Sequence, residues 1–259
     1  MVKALSHIPI EQLVFWRAVI CLSITFVYLR WRGISVWGSN KKVLILRGLA
    51  GTIALTLFFY TLHAMPLASA VTIQYLSPIF TVLFSGLFFG EKVSGWHWLC
   101  SLVGFAGVWV IQGFDARVGI FDAGVGVVAA MASAVAYNSV RSLRHSDHEW
   151  VVIFYFPLVA SVLTFPLALR TWIWPAAGDW PLILLIGGLT QVAQLYLTKG
   201  YQAERASKIA AVNYAGVLWA VLYGALFFGE GVPWATFAGM ILILASVWLS
   251  TRSWKVASA

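Results

Sequence analysis

Nine continuous apolar runs dominate the sequence, each close to the roughly 20 residues a helix needs to cross a bilayer. They occupy residues 12–29, 44–62, 68–89, 95–112, 121–139, 150–169, 180–198, 207–228 and 234–250. Turn and breaker residues punctuate them: Gly33 and Gly38, Pro66, Gly90, Gly113, Pro175 and Gly178, Gly200, and Gly229 with Gly231. Because the runs are continuous rather than alternating, a transmembrane β-barrel is excluded. Composition excludes a soluble domain as well. Hydrophobic residues make up 61% of the chain and charged residues 10%, where a soluble domain carries about 25% charged. The expected fold is all-α, a polytopic transmembrane helical bundle. Its loops are too short for an extramembrane domain, and a GxxxxGKS/T phosphate loop is absent, so an ATP-driven pump is not expected. Cys21 and Cys100 both lie in apolar runs and form neither a metal spacing nor a disulfide framework. No metal and no cofactor are expected.

The net charge of +8 would suggest nucleic acid in a soluble protein. Here it marks topology, and the expected partners are the lipid bilayer and a small-molecule substrate, with no nucleic acid. Arg30, Arg32, Lys41, Lys42, Arg47, Lys92, Arg141, Arg144, Lys199, Arg205, Lys208, Arg252 and Lys255 fall on one side of the nine-span arrangement. Lys3, Arg117 and Arg170 fall on the other. The positive-inside rule then puts the C-terminus in the cytoplasm, in a bacterial-type inner (plasma) membrane.

The chain also repeats itself. LFSGLFFGE at 83–91 answers LYGALFFGE at 222–230, an offset of 139 residues. At that offset Tyr75 falls on Tyr214, Val82 on Val221, Val108 on Val247, Trp109 on Trp248, Gly48 on Gly187 and Ala54 on Ala193. The expected domains are a first repeat at 1–113, with four full helices, and a second at 114–259, with five. The span 121–139 finds its counterpart before residue 1. The repeat therefore predicts ten helices in two sets of five, the first of them missing from this chain. A mis-assigned start or truncation is expected rather than a genuine nine-helix protein, with an apolar stretch of about 20 residues upstream of Met1. Five is an odd number, so the two repeats enter the membrane in opposite orientations. Inverted repeats are the architecture of secondary transporters, whose sites lie near the midplane where the repeats meet.

Three stretches carry a family resemblance: HIPIEQLVFWRAV at 7–19, SAVTIQYLSPIFTVLFSGLFFGEKV at 69–93 and KIAAVNYAGVLWAVLYGALFFGEGV at 208–232. Together they resemble the EamA-type family of the drug/metabolite transporter superfamily. The resemblance covers essentially the whole chain. It implies a ten-helix fold, cytoplasmic termini, a central cavity and transport of small metabolites, often amino acids or related compounds, mostly by export. The chain departs from the family pattern by lacking the first helix, which in the family helps line the cavity.

Polar groups in a bilayer are costly and usually have a reason. Gln74 lies inside the span 68–89, and Pro78 four residues later has no N–H for its carbonyl, which predicts a kink. Asn213 is its repeat equivalent, so two amides stand ready to flank one ligand; interhelical bonding is the alternative. Tyr75 and Tyr214 follow them, suited to a solute with an apolar body and a polar end or to core packing. Thr52, Thr56 and Tyr60 share a helix face that ends at His63, read as a boundary residue. Gln191 and Gln194 lie near one face of the equivalent helix. These stripes suit a water-filled cavity or interhelical hydrogen bonds. Trp219 is a further cavity candidate. Arg17 is the basic residue well inside a span, expected to snorkel toward the outer face as a gate or entrance residue. Glu11, a lipid headgroup or a substrate carboxylate is its possible partner. Asn138 suits an exit-lining position or a helix cap. Glu91 and Glu230, at the ends of the repeat motif, read as structural. Tryptophans at span ends, including Trp96, Trp150, Trp172 and Trp234, read as an interfacial belt.

A membrane-embedded enzyme would need clustered His, Asp or Glu near one interface. The nearest group, Arg144 to Glu149, lacks HExxH and reads as a solvated loop. A channel would need rings of like charge, and none is visible. A secondary transporter of small organic metabolites is the expected function, with a non-transporting fragment as its alternative.

Overall fold

A computed structural model describes Leu5 and residues 7–65, 67–87, 94–112, 119–216, 219 and 234–252. Ten helices are seen among the described residues: α1 (Ile10–Trp31), α2 (Lys41–Ala64), α3 (Leu67–Gln74), α4 (Ser77–Leu87), α5 (Gly95–Gln112), α6 (Ile120–Ser142), α7 (Glu149–Ala168), α8 (Trp180–Ala203), α9 (Ala206–Asn213) and α10 (Trp234–Arg252). Of these, α1, α2, α6, α7 and α8 are long and apolar enough to cross a bilayer. The described residues contain no strand. Each expected span carries helix, and the helices overrun the apolar runs by a turn or less at most ends.

The repeat is written into the helix boundaries. Shifting by 139 residues carries Lys41–Ala64 onto Trp180–Ala203 and Leu67–Gln74 onto Ala206–Asn213, end for end. Two sequences with little identity stop their helices at the same places because they keep the same turn chemistry and apolar lengths. The end of α1 shows such chemistry. Gly33 adopts φ +66°, its N–H bonds the Arg30 carbonyl, and the Ile34 N–H reaches back to the Leu29 carbonyl at 2.9 Å. That is a Schellman close, which needs a residue without a Cβ penalty at the left-handed position.

The chain forms two compact units, and neither is a sequence half. The first combines residues 1–64 and 135–204; the second combines residues 65–134 and 205–259. Each unit thus draws helices from both repeats. In the first, α7 packs against α1 and α2, and α8 against α1. Glycine permits these approaches: a Cβ on Gly48 would collide with Val159 and the Tyr155 carbonyl, and one on Gly187 with Ile20. In the second, α10 packs along α5, and α4 against α9. There Gly107 lies against the Gly239 carbonyl and Ile243. The small residues do the work that a hydrophobic driving force cannot do in lipid.

Both ends of the first unit are tied by polar contacts. At one end Asp147 accepts from the Ser39 N–H at 2.6 Å and the Asn40 N–H at 3.2 Å, holding the start of α2 to the start of α7. Arg141 donates to the Gln202 carbonyl at 2.8 Å. At the other end the Gln12 amide pairs with both main-chain groups of Ile173. His7 meets Asp179 at 3.0 Å. The Asp179 carboxyl is held below the usual carboxylate range, first by that bond and then by the Ala176 N–H. Trp16, Trp172, Trp174 and Trp180 cluster at this end, with Trp16 and Trp180 centroids 4.9 Å apart.

Candidate functional site

Arg17 departs most from its expected place. The side chain does not snorkel to an interface but is buried at 5% exposure. Its guanidinium sits over the Phe156 ring, 5.4 Å from the centroid. Among the described residues it makes no ion pair, with Glu11 or any other acid. Arg47, read from sequence as a loop cation, stands a turn and a half inside α2 and is buried at 2% exposure. Its guanidinium lies 4.7 Å from the centroid of the same Phe156 ring. It donates to Gln194 Oε1 at 3.0 Å. Two cations therefore share one aromatic ring, an arrangement that relieves part of their desolvation through the ring quadrupole.

The signal for Arg17 was in the repeat. Its equivalent at the 139-residue offset is Phe156, the residue it touches. The two lie where α1 meets α7, its own repeat partner. A narrow crevice opens there. Its walls include three repeat-related pairs: Arg17 with Phe156, Ala18 with Pro157, and Cys21 with Ala160. Ile153, Gln191 and Gln194 complete it. The free space is on the order of one water molecule.

Gln191 is buried and donates to Thr25 Oγ1 at 2.9 Å, while its Oε1 finds no protein partner. Thr25 is spoken for, donating to the Cys21 carbonyl at 2.7 Å. Thr52 is buried too, but spends its hydroxyl on the Gly48 carbonyl of its own helix at 2.8 Å. Thr56 and Tyr60 are half-buried farther along α2, and His63 is exposed in its last turn.

The second unit gathers the other candidates apart from Asn138, which belongs to the first. The apolar run at 68–89 is divided at Tyr75–Leu76 into α3 and α4, a fuller interruption than a kink. Pro78 falls in the first turn of α4, where its fixed φ fits and its missing N–H is not needed. Helix α9 stops at Asn213, the equivalent of Gln74, although no proline stands at the position matching Pro78. Gln74 Nε2 donates to Ser133 Oγ at 2.9 Å, and its Oε1 has no protein partner. Tyr75 and Tyr214 meet, ring centroids 5.8 Å apart and tilted by 30°. Tyr214 is fully buried beside Val108 and Ile243, in space that Gly104 leaves for its ring. Asn213 is half-buried, and Trp219 is exposed at 58%. Asn138 is buried inside α6, which continues to Ser142, so the cap reading does not hold. Glu91 and Glu230 lie outside the described residues.

Comparison with known proteins agrees with this architecture. The model of the EamA-like transporter family matches residues 1–113 and 122–252. The pseudopaline exporter CntI of Pseudomonas aeruginosa is 29% identical, over 98% of this chain and 90% of its own length. Human solute carrier family 35 member G1 is 28% identical over 99% of the chain and 76% of its own. An S-adenosylmethionine uptake transporter of Rickettsia conorii is 23% identical over 80% of the chain and 70% of its own. A crystal structure at 21% identity shares the fold, with a TM-score of 0.79, covering 95% of this chain and 90% of that one. These relatives are transporters, not enzymes, and the chain is an integral membrane protein that belongs to the EamA-like transporter family, whose business is carrying small metabolites.

Proposed function

We propose that this chain exports small organic metabolites, amino acids or related compounds, across a bacterial-type inner membrane by alternating access. The observation that carries the reading is similarity to an exporter over 98% of the chain. The inverted repeat supports it, because two like halves facing opposite ways give a carrier two equivalent states, each open to one side. The excess of basic residues in loops on one side supports a cytoplasmic C-terminus.

Contact with the solute is assigned to Gln74, Tyr75, Asn213 and Tyr214, to Thr52, Thr56 and Tyr60, and to Gln191, Gln194 and Trp219. Amides, hydroxyls and aromatic faces are the chemistry that membrane-embedded recognition has to use when the described carboxylates stand at helix ends rather than in mid-span. The unpartnered Oε1 atoms of Gln74 and Gln191 support this most directly, since a buried amide oxygen without a donor costs free energy that a ligand N–H or O–H recovers.

Metabolite profiling of cells with and without the chain tests direction. Export predicts that a small organic metabolite falls inside the cell and rises in the medium when the chain is expressed, and that Gln74→Ala with Asn213→Ala slows this. A metabolite that rises inside instead reverses the direction. Unchanged flux and affinity in the double variant remove that amide pair from the site.

A further inference from the structure

We infer that the Arg17–Phe156–Arg47 cluster of the first unit is an anion site for the carboxylate group of the transported solute. This inference rests on the transporter reading and names the substrate class within it. Both arginines are more than nine-tenths buried, and each keeps an Nε without a protein partner. Arg17 has no hydrogen bond or ion pair among the described residues. The described acidic residues all stand at helix ends: Glu11, Asp122, Asp147, Glu149, Asp179 and Glu204. Two buried cations with no counter-ion among the described residues are an expensive arrangement in an apolar bundle. A ligand that supplies the negative charge resolves it.

Carboxylate is the anion that the geometry favours. A guanidinium offers paired N–H donors that match two carboxylate oxygens. The crevice is narrow and largely apolar, bounded by Cys21, Pro157 and Ala160, which suits a planar group with two oxygens better than a tetrahedral one with three. It lies where α1 meets its repeat equivalent α7, a junction at which an inverted-repeat carrier can offer one charged group to both states. Since the free space here is that of about one water, a carboxylate enters only as the crevice widens during the cycle.

The test uses the full chain purified in detergent, as wild type and as Arg17→Gln, Arg47→Gln, Arg17→Lys and Arg47→Lys. Thermal unfolding is followed with succinate, glutamate and citrate, with neutral succinamide, and with inorganic phosphate. We expect at least one carboxylate to raise the wild-type Tm saturably, with succinamide inert. Each Gln variant should weaken that response about tenfold or more, and each Lys variant should keep part of it. The empty Gln variants should melt no lower than wild type, because an unpaired buried charge has been removed. No response to any carboxylate at about 10 mM, above ordinary KM values, overturns the site. So does a Gln variant that responds like wild type, or phosphate stabilising more than every carboxylate. Counterflow in liposomes separates this from the reading beneath it. Neutral solutes carried equally by wild type and Gln variants overturn the anion site and leave the transporter standing. No solute carried at all overturns both.

Discussion

At the residue scale the informative positions are those where a polar group pays no visible return. Gln191 and Gln194 were legible from sequence, because amides in an apolar run are rare enough to notice. Arg17 was legible too, though its destination was not. A helix of 22 residues is about 33 Å long and puts Arg17 about 10 Å from its start, a depth from which a long side chain reaches either an interface or a neighbouring helix. Only packing against α7 decides between them. Arg47 was hidden by its company, since it follows Lys41 and Lys42 and counts with them as a loop charge. Arg47 already falls within the apolar run at 44–62, and because helix α2 begins at Lys41 it stands deeper in the helix than the run alone suggests. Gly51 lies between the two parts of this cluster: a Cβ there would collide with Arg47 Nη1 and the Phe156 ring. Gly51→Ala is therefore expected to destabilise the protein by about 1–3 kcal/mol, the usual cost of overpacking, despite alanine's better helix propensity. Thermal unfolding in detergent measures it. A variant as stable as wild type would show that the ring and guanidinium can give way freely.

At the scale of elements, the helices were largely readable because long apolar runs leave few other solutions. Their boundaries were readable wherever turn chemistry was explicit, as at Gly33. The interruption of the third apolar run, at 68–89, was half readable. Pro78 announces an irregularity, but the chain breaks at Tyr75–Leu76, and α9 ends at the matching residue without any proline. The interruption therefore belongs to the repeat rather than to Pro78. It accompanies the Tyr75–Tyr214 contact and the close approach of Gly216 to the Tyr75 hydroxyl, which sequence spacing alone does not display. Pro78→Ala is accordingly expected to change stability by less than about 1 kcal/mol, as for a proline in a first turn. A gain near 3 kcal/mol, the size of a proline cost inside a helix, would show that Pro78 itself imposes the break. Denaturant titration in detergent distinguishes the two.

At the scale of the whole molecule, sequence showed two repeats and the structure shows two compact units that cut across them. A repeat is a record of duplication, while a compact unit is a record of which helices bury their small residues together. Here α1 packs against its own counterpart α7, and α5 against α10. Interleaving puts like positions face to face, so Arg17 meets Phe156 and Tyr75 meets Tyr214. That consequence follows from the offset of 139 once the packing is known, and from neither alone.

The claim that organises all three scales is that this bundle carries small organic solutes without changing them. Counterflow into liposomes reconstituted with the purified chain tests it most directly. Liposomes preloaded with an unlabelled metabolite mixture receive trace labelled solutes, and the trapped label is identified by mass spectrometry. Transient accumulation of at least one labelled solute, chemically intact, above protein-free liposomes is expected. Label that enters no faster than in protein-free liposomes, or that is recovered as a different compound, would contradict it.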